Sequence, residues 1–170
     1  MNIANERNNM AEKLVLVSAI EELNKGDTFE DQDWPLHVTI VPWFSVQEQF
    51  EPGMVRSLAN HMHHVRPQTV IGDQNELFGE RKTVKVRTLR HIGQLATLHT
   101  NILDVLNRIG GEVDSPYIRD LYRPHVTYQH GVSIDKDEEV TLSRMQLIRG
   151  DATGPRQVEN VFTFIKDRTE

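Results

Sequence analysis

The tripeptide His-Val-Thr occurs twice in this 170-residue chain, at residues 37–39 and 125–127. Composition alone predicts about 0.06 copies, so chance is a poor explanation for two. In an extended strand, residues two apart lie on one face about 6.6 Å apart, so each histidine lies beside its threonine. The hydroxyl can donate a hydrogen bond to a phosphate oxygen while the imidazole exchanges a proton. Two such pairs facing each other would supply a base and an acid.

Each motif lies in a segment that predicts a β-strand. Leu36–Trp43 and Pro124–Gln129 follow or begin with a proline and are rich in β-branched and aromatic residues. The central valine of each motif should therefore face the core, opposite the histidine and threonine. Because a strand of this kind occurs in each half of the chain, the pattern indicates an internal duplication.

The other predicted elements follow from hydrophobic periodicity and from proline and glycine signals. Two amphipathic helices are predicted, the first beginning at a proline and the second ending at Gly110-Gly111. A hairpin is predicted around Gly79. The predicted helices are 52–66 and 92–109; the further strands are 13–20, 68–79, 81–89, 140–149 and 158–166; residues 1–12 are expected to be flexible.

Composition limits the kind of protein. Hydrophobic residues make up 38% of the chain and charged residues 26%, which fits one domain over residues 1–170. A net charge of -6 argues against binding to duplex DNA, which needs clustered Lys and Arg. With no cysteine, thiolate zinc sites and disulfides are excluded. No apolar run is long enough for a membrane span and no secretory signal is evident, so we expect a cytoplasmic protein.

The motifs and their surroundings resemble a known family. Pro35-Leu-His-Val-Thr-Ile40 and Tyr122-Arg-Pro-His-Val-Thr-Tyr128 are similar to the duplicated His-x-Thr/Ser motifs of the two-histidine (2H) phosphoesterases. That superfamily includes LigT-like RNA cyclic phosphodiesterases and 2'-5' RNA ligases. The resemblance extends from Lys13 to about Lys166. It implies a bilobed, duplicated α+β fold in which two antiparallel β-sheets form a central cleft and the helices pack outside.

The resemblance also implies an activity. His37 and His125 would be the acid–base pair, and Thr39 and Thr127 would bind the phosphate, with no metal and no cofactor. The expected reaction is cleavage of a 2',3'-cyclic phosphate, or of 2'-5' or 3'-5' linkages, in RNA ends or small and even cyclic oligonucleotides. The expected partner is a nucleotide or short RNA.

Six further residues are candidates for substrate contact. Trp43 has the strand parity of the first motif and could stack on a base, or pack against a loop. A run of positive charge near residue 85 could attract an anion, or could be a solvated edge strand. Parity places Val41 with Trp43 and turns Tyr128 toward the core. The six candidates are Trp43, Arg123, Tyr122, Lys85, Arg87 and Gln129.

Other readings of the same motifs remain open at this point. A nucleotide-binding module without turnover could use the same cleft, and an RNA 2'-5' ligase could use the same residues. A structural protein with incidental motifs would require the two His-Val-Thr strands to lie apart. His61 and His64 could share a metal on the first helix, but no third ligand is evident nearby.

Overall fold

Ten strands and two helices make up the computed structural model, which describes residues 13–150 and 154–165. All strand pairings in these ranges are antiparallel. The expectation for residues 1–12 lies outside the described residues, whereas the last predicted strand, 158–166, is observed as Arg156–Thr163 and ends before Phe164. The strands are β1 (Lys13–Ala19), β2 (Thr28–Phe29), β3 (His37–Ser45), β4 (Gln68–Phe78), β5 (Val84–Arg90), β6 (Glu112–Val113), β7 (His125–Thr127), β8 (Glu139–Leu142), β9 (Arg144–Gly150) and β10 (Arg156–Thr163); the helices are α1 (Glu51–Met62) and α2 (Gly93–Arg108).

Apart from the short strands β2 and β6, the strand order is symmetric about the two motif strands, with four strands on each side. It runs β2-β10-β9-β1-β3-β7-β5-β4-β8, with β6 paired to β3. We call β1, β3, β9 and β10 the first half-sheet, and β4, β5, β7 and β8 the second. The two are joined where β3 pairs with β7 at Val38 and Val126. The predicted α+β class is confirmed, although this pairing makes the two expected sheets continuous.

Both helices pack on one face of the sheet. Apolar residues at spacings of three and four place Met54, Leu58 and Met62 of α1 in the main core. Leu95 and Ile102 of α2 lie in the same core, which also receives the valines of both motifs. Alternation along β1 buries its other side chains in a second core on the opposite face, as predicted for a central strand. The motif histidines and threonines therefore lie on the face away from the helices.

Predicted and observed element boundaries differ by up to four residues, and one predicted strand is divided in two. The single strand predicted over 140–149 is wrong, because Ser143 separates β8, which pairs with β4, from β9, which pairs with β1. The chain passes from one half-sheet to the other at this residue. The first helix ends at Met62 rather than at Arg66, because the residues that follow form turns before Pro67.

Gly72 in β4 is a position where the fold requires glycine. A Cβ atom there would lie 2.1 Å from the backbone oxygen of Asp135. We expect Gly72→Ala to lower the free energy of unfolding by about 2–3 kcal/mol, since backbone must move to relieve the overlap. Urea unfolding checks this. Gly93→Ala is the control, because a Cβ atom at Gly93 has nothing within 4 Å; equal stability of the two variants would contradict the prediction.

Candidate active site

The pairing of β3 with β7 brings the two motifs together. With Val38 opposite Val126 in an antiparallel pair, His37 lies across from Thr127 and Thr39 lies across from His125. In a regular pair of this kind the diagonal Cβ atoms, here those of the two histidines, are about 7–8 Å apart. Both imidazoles can thus reach one phosphate group. The reading in which the motif strands lie apart is excluded.

Each motif imidazole is held by a backbone carbonyl two residues before it. Nδ1 of His37 lies 2.8 Å from the Pro35 oxygen, and Nδ1 of His125 lies 2.8 Å from the Arg123 oxygen. A carbonyl oxygen can only accept, so Nδ1 is the donor in both rings. In the neutral form the lone pair is therefore on Nε2. Both histidines present a proton-accepting Nε2, or after protonation a proton-donating one.

An aromatic ring packs against each of these imidazoles. Trp34 lies 4.7 Å from His37 between ring centroids, and Phe78 lies 4.7 Å from His125 in an edge-on arrangement. Neither ring is among the site residues predicted from the sequence. Proximity in sequence to the first motif could have drawn attention to Trp34. Phe78 is 47 residues before His125, and only the pairing of β4, β5 and β7 places it there.

Burial favours the neutral form of both imidazoles in the ligand-free protein. Burial away from water disfavours the charged form and lowers the pKa of His37 to about 4, against a smaller raising effect of the Pro35 hydrogen bond. The nearby His125 lowers the His37 pKa slightly further. Burial also lowers the pKa of His125, with the Arg123 charge acting in the same direction. An anionic substrate between the rings would favour their protonated forms.

A buried histidine on α2 ties the loop before β7 to β3. His99 has no exposed surface; its Nδ1 donates to the Ile40 oxygen and its Nε2 accepts from the Arg119 amide. Its ring stacks on Tyr122 at 3.9 Å, and the Tyr122 hydroxyl donates to the Thr39 oxygen. Burial raises the pKa of Tyr122, so this hydroxyl keeps its proton. Tyr122 thus positions the first motif, while its ring also lines a cavity beside it.

Lys85 and Arg87 lie on the face opposite the motif histidines. Arg87 pairs with Val126, which faces the main core. Its guanidinium donates to the carbonyls of Ile134 and Asp73 and to the Tyr128 hydroxyl, each at 3.1 Å. The ammonium of Lys85 lies over the ring of Tyr128, which is half-buried rather than in the core. The predicted contact of these two cations with substrate therefore finds no support in the geometry.

The remaining candidates lie around the motif residues. Trp43 packs in the second core, with Arg156 5.1 Å from its ring, so its packing role is the one observed. A bulge in the β1–β3 ladder turns Val41 to the main core, contrary to the parity argument. Arg123 forms an ion pair of 2.7 Å with Glu76 at the cleft rim. Gln129 lines the larger of two cavities that flank the motifs.

These two cavities lie at opposite ends of the motif pair. The His125-end cavity has a volume of about 370 Å³, and the residues that line it include Thr39 and His125. The His37-end groove has a volume of about 800 Å³, and the residues that line it include Trp34, Pro35 and Gln129. Thr39 and His125 line the first cavity, and near neighbours of His37 and Thr127 in the chain line the second, so a phosphodiester held by the motifs has room for a substituent on each side.

Two further observations concern metals and membranes. Within the described ranges, no group of three or more His, Cys, Asp or Glu side chains could hold a metal ion, and this includes the surroundings of His61 and His64. None of the described helices is long and apolar enough to cross a membrane.

The fold, the pairing of the two motifs and the similarity of the chain to known proteins together define the class of protein. It is that of the two-histidine (2H) phosphoesterases. Within this class the chain belongs to the 2'-5' RNA ligase superfamily, whose family model matches residues 13–155. No curated protein matches the chain in sequence.

Solved structures share the fold at low sequence identity. A crystal structure of a phosphoesterase has a TM-score of 0.63 at 13% identity and covers 90% of this chain and 98% of its own. E. coli LigT complexed with 3'-AMP has a TM-score of 0.62 at 13% identity, with 91% and 98% covered. A protein of Thermus thermophilus has a TM-score of 0.58 at 14% identity, with 92% and 100% covered.

The lowered pKa of His37 makes a prediction for stability. Its pKa of about 4 in the folded protein lies below the ordinary 6.5, so between these values the unfolded chain binds more protons. The stability that His37 contributes by remaining neutral is present above pH 6.5 and is lost as pH falls toward 4. At pH 4.5 the loss should be roughly 2–3 kcal/mol. Urea unfolding at pH 7 and 4.5 should show a smaller decrease for His37→Gln than for the wild type; equal decreases would contradict the assignment.

Proposed function

We propose that the protein is a metal-independent phosphodiesterase that acts on 2',3'-cyclic phosphates or on 2'-5' or 3'-5' linkages of RNA ends or small oligonucleotides in the cytoplasm. The observation that carries this proposal is the matched pair of imidazoles. Both donate through Nδ1 to backbone carbonyls, and both leave Nε2 for proton transfer. They lie on one face of two adjacent strands, each beside a threonine hydroxyl.

The chemistry requires one proton to be taken and one to be given. One imidazole accepts a proton through Nε2 from the attacking oxygen, which is water for a cyclic phosphate or the neighbouring hydroxyl for a linear linkage. The attacking oxygen forms a new bond to phosphorus as the P–O bond to the leaving oxygen breaks, and the other imidazole donates a proton to the leaving oxygen. Thr39 and Thr127 donate hydrogen bonds to the non-bridging oxygens, where negative charge increases in the transition state. The partial exclusion of water strengthens these interactions.

The comparisons support a nucleotide as the substrate class. E. coli LigT has been solved with 3'-AMP, with ATP and with NADP+. The superfamily name also includes ligation, and a 2'-5' ligase would run the same proton transfers in reverse. Joining of 2',3'-cyclic phosphate and 5'-hydroxyl ends at high RNA concentration would favour this alternative.

Removal of either motif histidine should abolish activity. The wild type, His37→Ala and His125→Ala are incubated in EDTA with 2',3'-cyclic mononucleotides, 2'-5' and 3'-5' dinucleotides and cyclic di- and trinucleotides, and the products are separated by chromatography. Each variant should lose about 10²–10⁴-fold in rate, the usual contribution of one proton transfer. His64→Ala, an exposed histidine on the other face, is the control.

Two results would count against this mechanism. The metal-independent step is wrong if EDTA stops the wild type and a divalent ion restores it. The assignment of the pair is wrong if either histidine variant keeps wild-type activity, or if the panel is bound and never cleaved.

The pH dependence follows from the pKa shifts. For an acid–base pair, kcat/KM is highest midway between the two pKa values of the free enzyme. Because burial lowers the pKa of both His37 and His125 below 6.5, the maximum should lie below pH 6.5. The maximum of kcat should lie higher, since a bound phosphodiester anion raises both values. Initial rates from pH 4 to 9 test this; a kcat/KM maximum above pH 7 would refute the proposed protonation states.

A further inference from the structure

We propose that the His125-end cavity is the subsite for the nucleobase, with Tyr117 and Phe78 as its stacking surfaces and Lys82 as the contact for a further phosphate. This inference rests on the proposed function, because it assigns the two sides of the same phosphodiester. The substrate would be a nucleotide whose base and additional phosphate lie beyond His125, and whose other substituent lies toward His37.

The position of the cavity follows from the strand register. Thr39 and His125 are opposite each other across β3 and β7, and both line the cavity. A phosphate held by the motif residues therefore has this cavity directly beside it. The Tyr122 hydroxyl fixes one wall by its bond to the Thr39 oxygen. The cavity is thus part of the same rigid framework as the catalytic groups.

The lining of the cavity suits a flat aromatic ligand. Seven apolar or aromatic residues other than histidine line it, and three of them are exposed to a degree unusual for their type: Leu77 is 56% exposed, Tyr117 66% and Leu121 59%. Exposed apolar surface beside a cavity is typical of a ligand site. Phe78 is held in place by Arg123, whose guanidinium lies 4.9 Å from its ring and is paired with Glu76. A nucleobase can stack on such rings without sequence preference.

The charges at the two ends of the motif pair favour binding of a further anionic group at the His125 end, where the base is also proposed to lie. Of the charged residues in the described ranges, Lys82 and Arg123 line the His125-end cavity and no Asp or Glu does. Among the described residues Lys82 has no acidic partner within ion-pair distance. The His37-end groove is lined by Glu21, Asp27 and Asp33. A second phosphate would be repelled there and attracted at Lys82.

The proposal is tested by binding without turnover. Isothermal titration calorimetry measures wild-type affinity for inorganic phosphate, adenosine 3'-monophosphate and adenosine 3',5'-bisphosphate. Tyr117→Ala should lower the affinity for the monophosphate about tenfold, because one stacking contact is lost, and should leave the affinity for inorganic phosphate unchanged. Phe50→Ala removes an aromatic ring that is 47% exposed outside the cavity and should change neither affinity.

The charge at Lys82 is tested with the same ligands. Lys82→Gln should remove most of the extra affinity of the bisphosphate over the monophosphate, and that extra affinity should decrease with salt. Lys136→Gln, an exposed lysine away from the cavity, should retain it. A different result would overturn the proposal. If Tyr117→Ala binds the monophosphate with wild-type affinity and Trp34→Ala binds it tenfold more weakly, the base lies at the His37 end.

Failure of this inference is distinguishable from failure of the proposed function. If the wild type cleaves a member of the substrate panel but Tyr117→Ala and Lys82→Gln bind nucleotides like wild type, the subsite is wrong and the phosphodiesterase stands. If the variants lose affinity as expected but the wild type cleaves nothing, the subsite stands and belongs to a binding module.

Discussion

The site depends on one short pairing, that of Val38 with Val126. It joins two half-sheets whose strand orders mirror each other, and both valines are buried in the main core without exposed surface. The apolar valines anchor both strands to the helix-side core, and the alternation of a strand then presents the histidines and threonines on the opposite face. A shift of this register by one residue would turn one motif into the core and bury its imidazole among apolar side chains.

Two opposing effects set the chemistry of the imidazoles. Burial, to which a packed aromatic ring contributes on each side, disfavours the protonated form, whereas the carbonyl bonded to Nδ1 favours it. Burial is the larger effect, so the neutral form of both rings is favoured until an anion arrives. The carbonyls have a second effect. Because each accepts a hydrogen bond from Nδ1, they fix the tautomer of both imidazoles and direct Nε2 toward the cleft. In the mechanism proposed above, the anionic substrate itself favours protonation of the imidazole that acts as the acid.

The class of fold and the two motif strands could be predicted from the sequence, because strand alternation and repeated motifs are local signals. The positions of the residues that surround the motif side chains could not be predicted. Phe78 reaches His125 only through the register of three strands, and a single bulge reverses the parity that placed Val41. The positive charges of Lys85 and Arg87 were visible in the sequence, but the face of the sheet they occupy was not. The break at Ser143 lies within a continuous strand-like pattern, so only the pairing partners of β8 and β9 separate them.

The crossing at Ser143 bears on how such a chain could have arisen. Strands β1, β3 and β4 come from the first half of the sequence, yet β1 pairs with β9 and β4 pairs with β8 from the second half. Neither half of the sequence carries a closed set of strand partners. An ancestor with one half alone could complete this sheet only as a dimer that exchanged strands about a two-fold axis at the motif valines. Gene fusion would then have turned an intermolecular active site into an intramolecular one, after which its two ends were free to diverge, one basic and apolar, the other acidic.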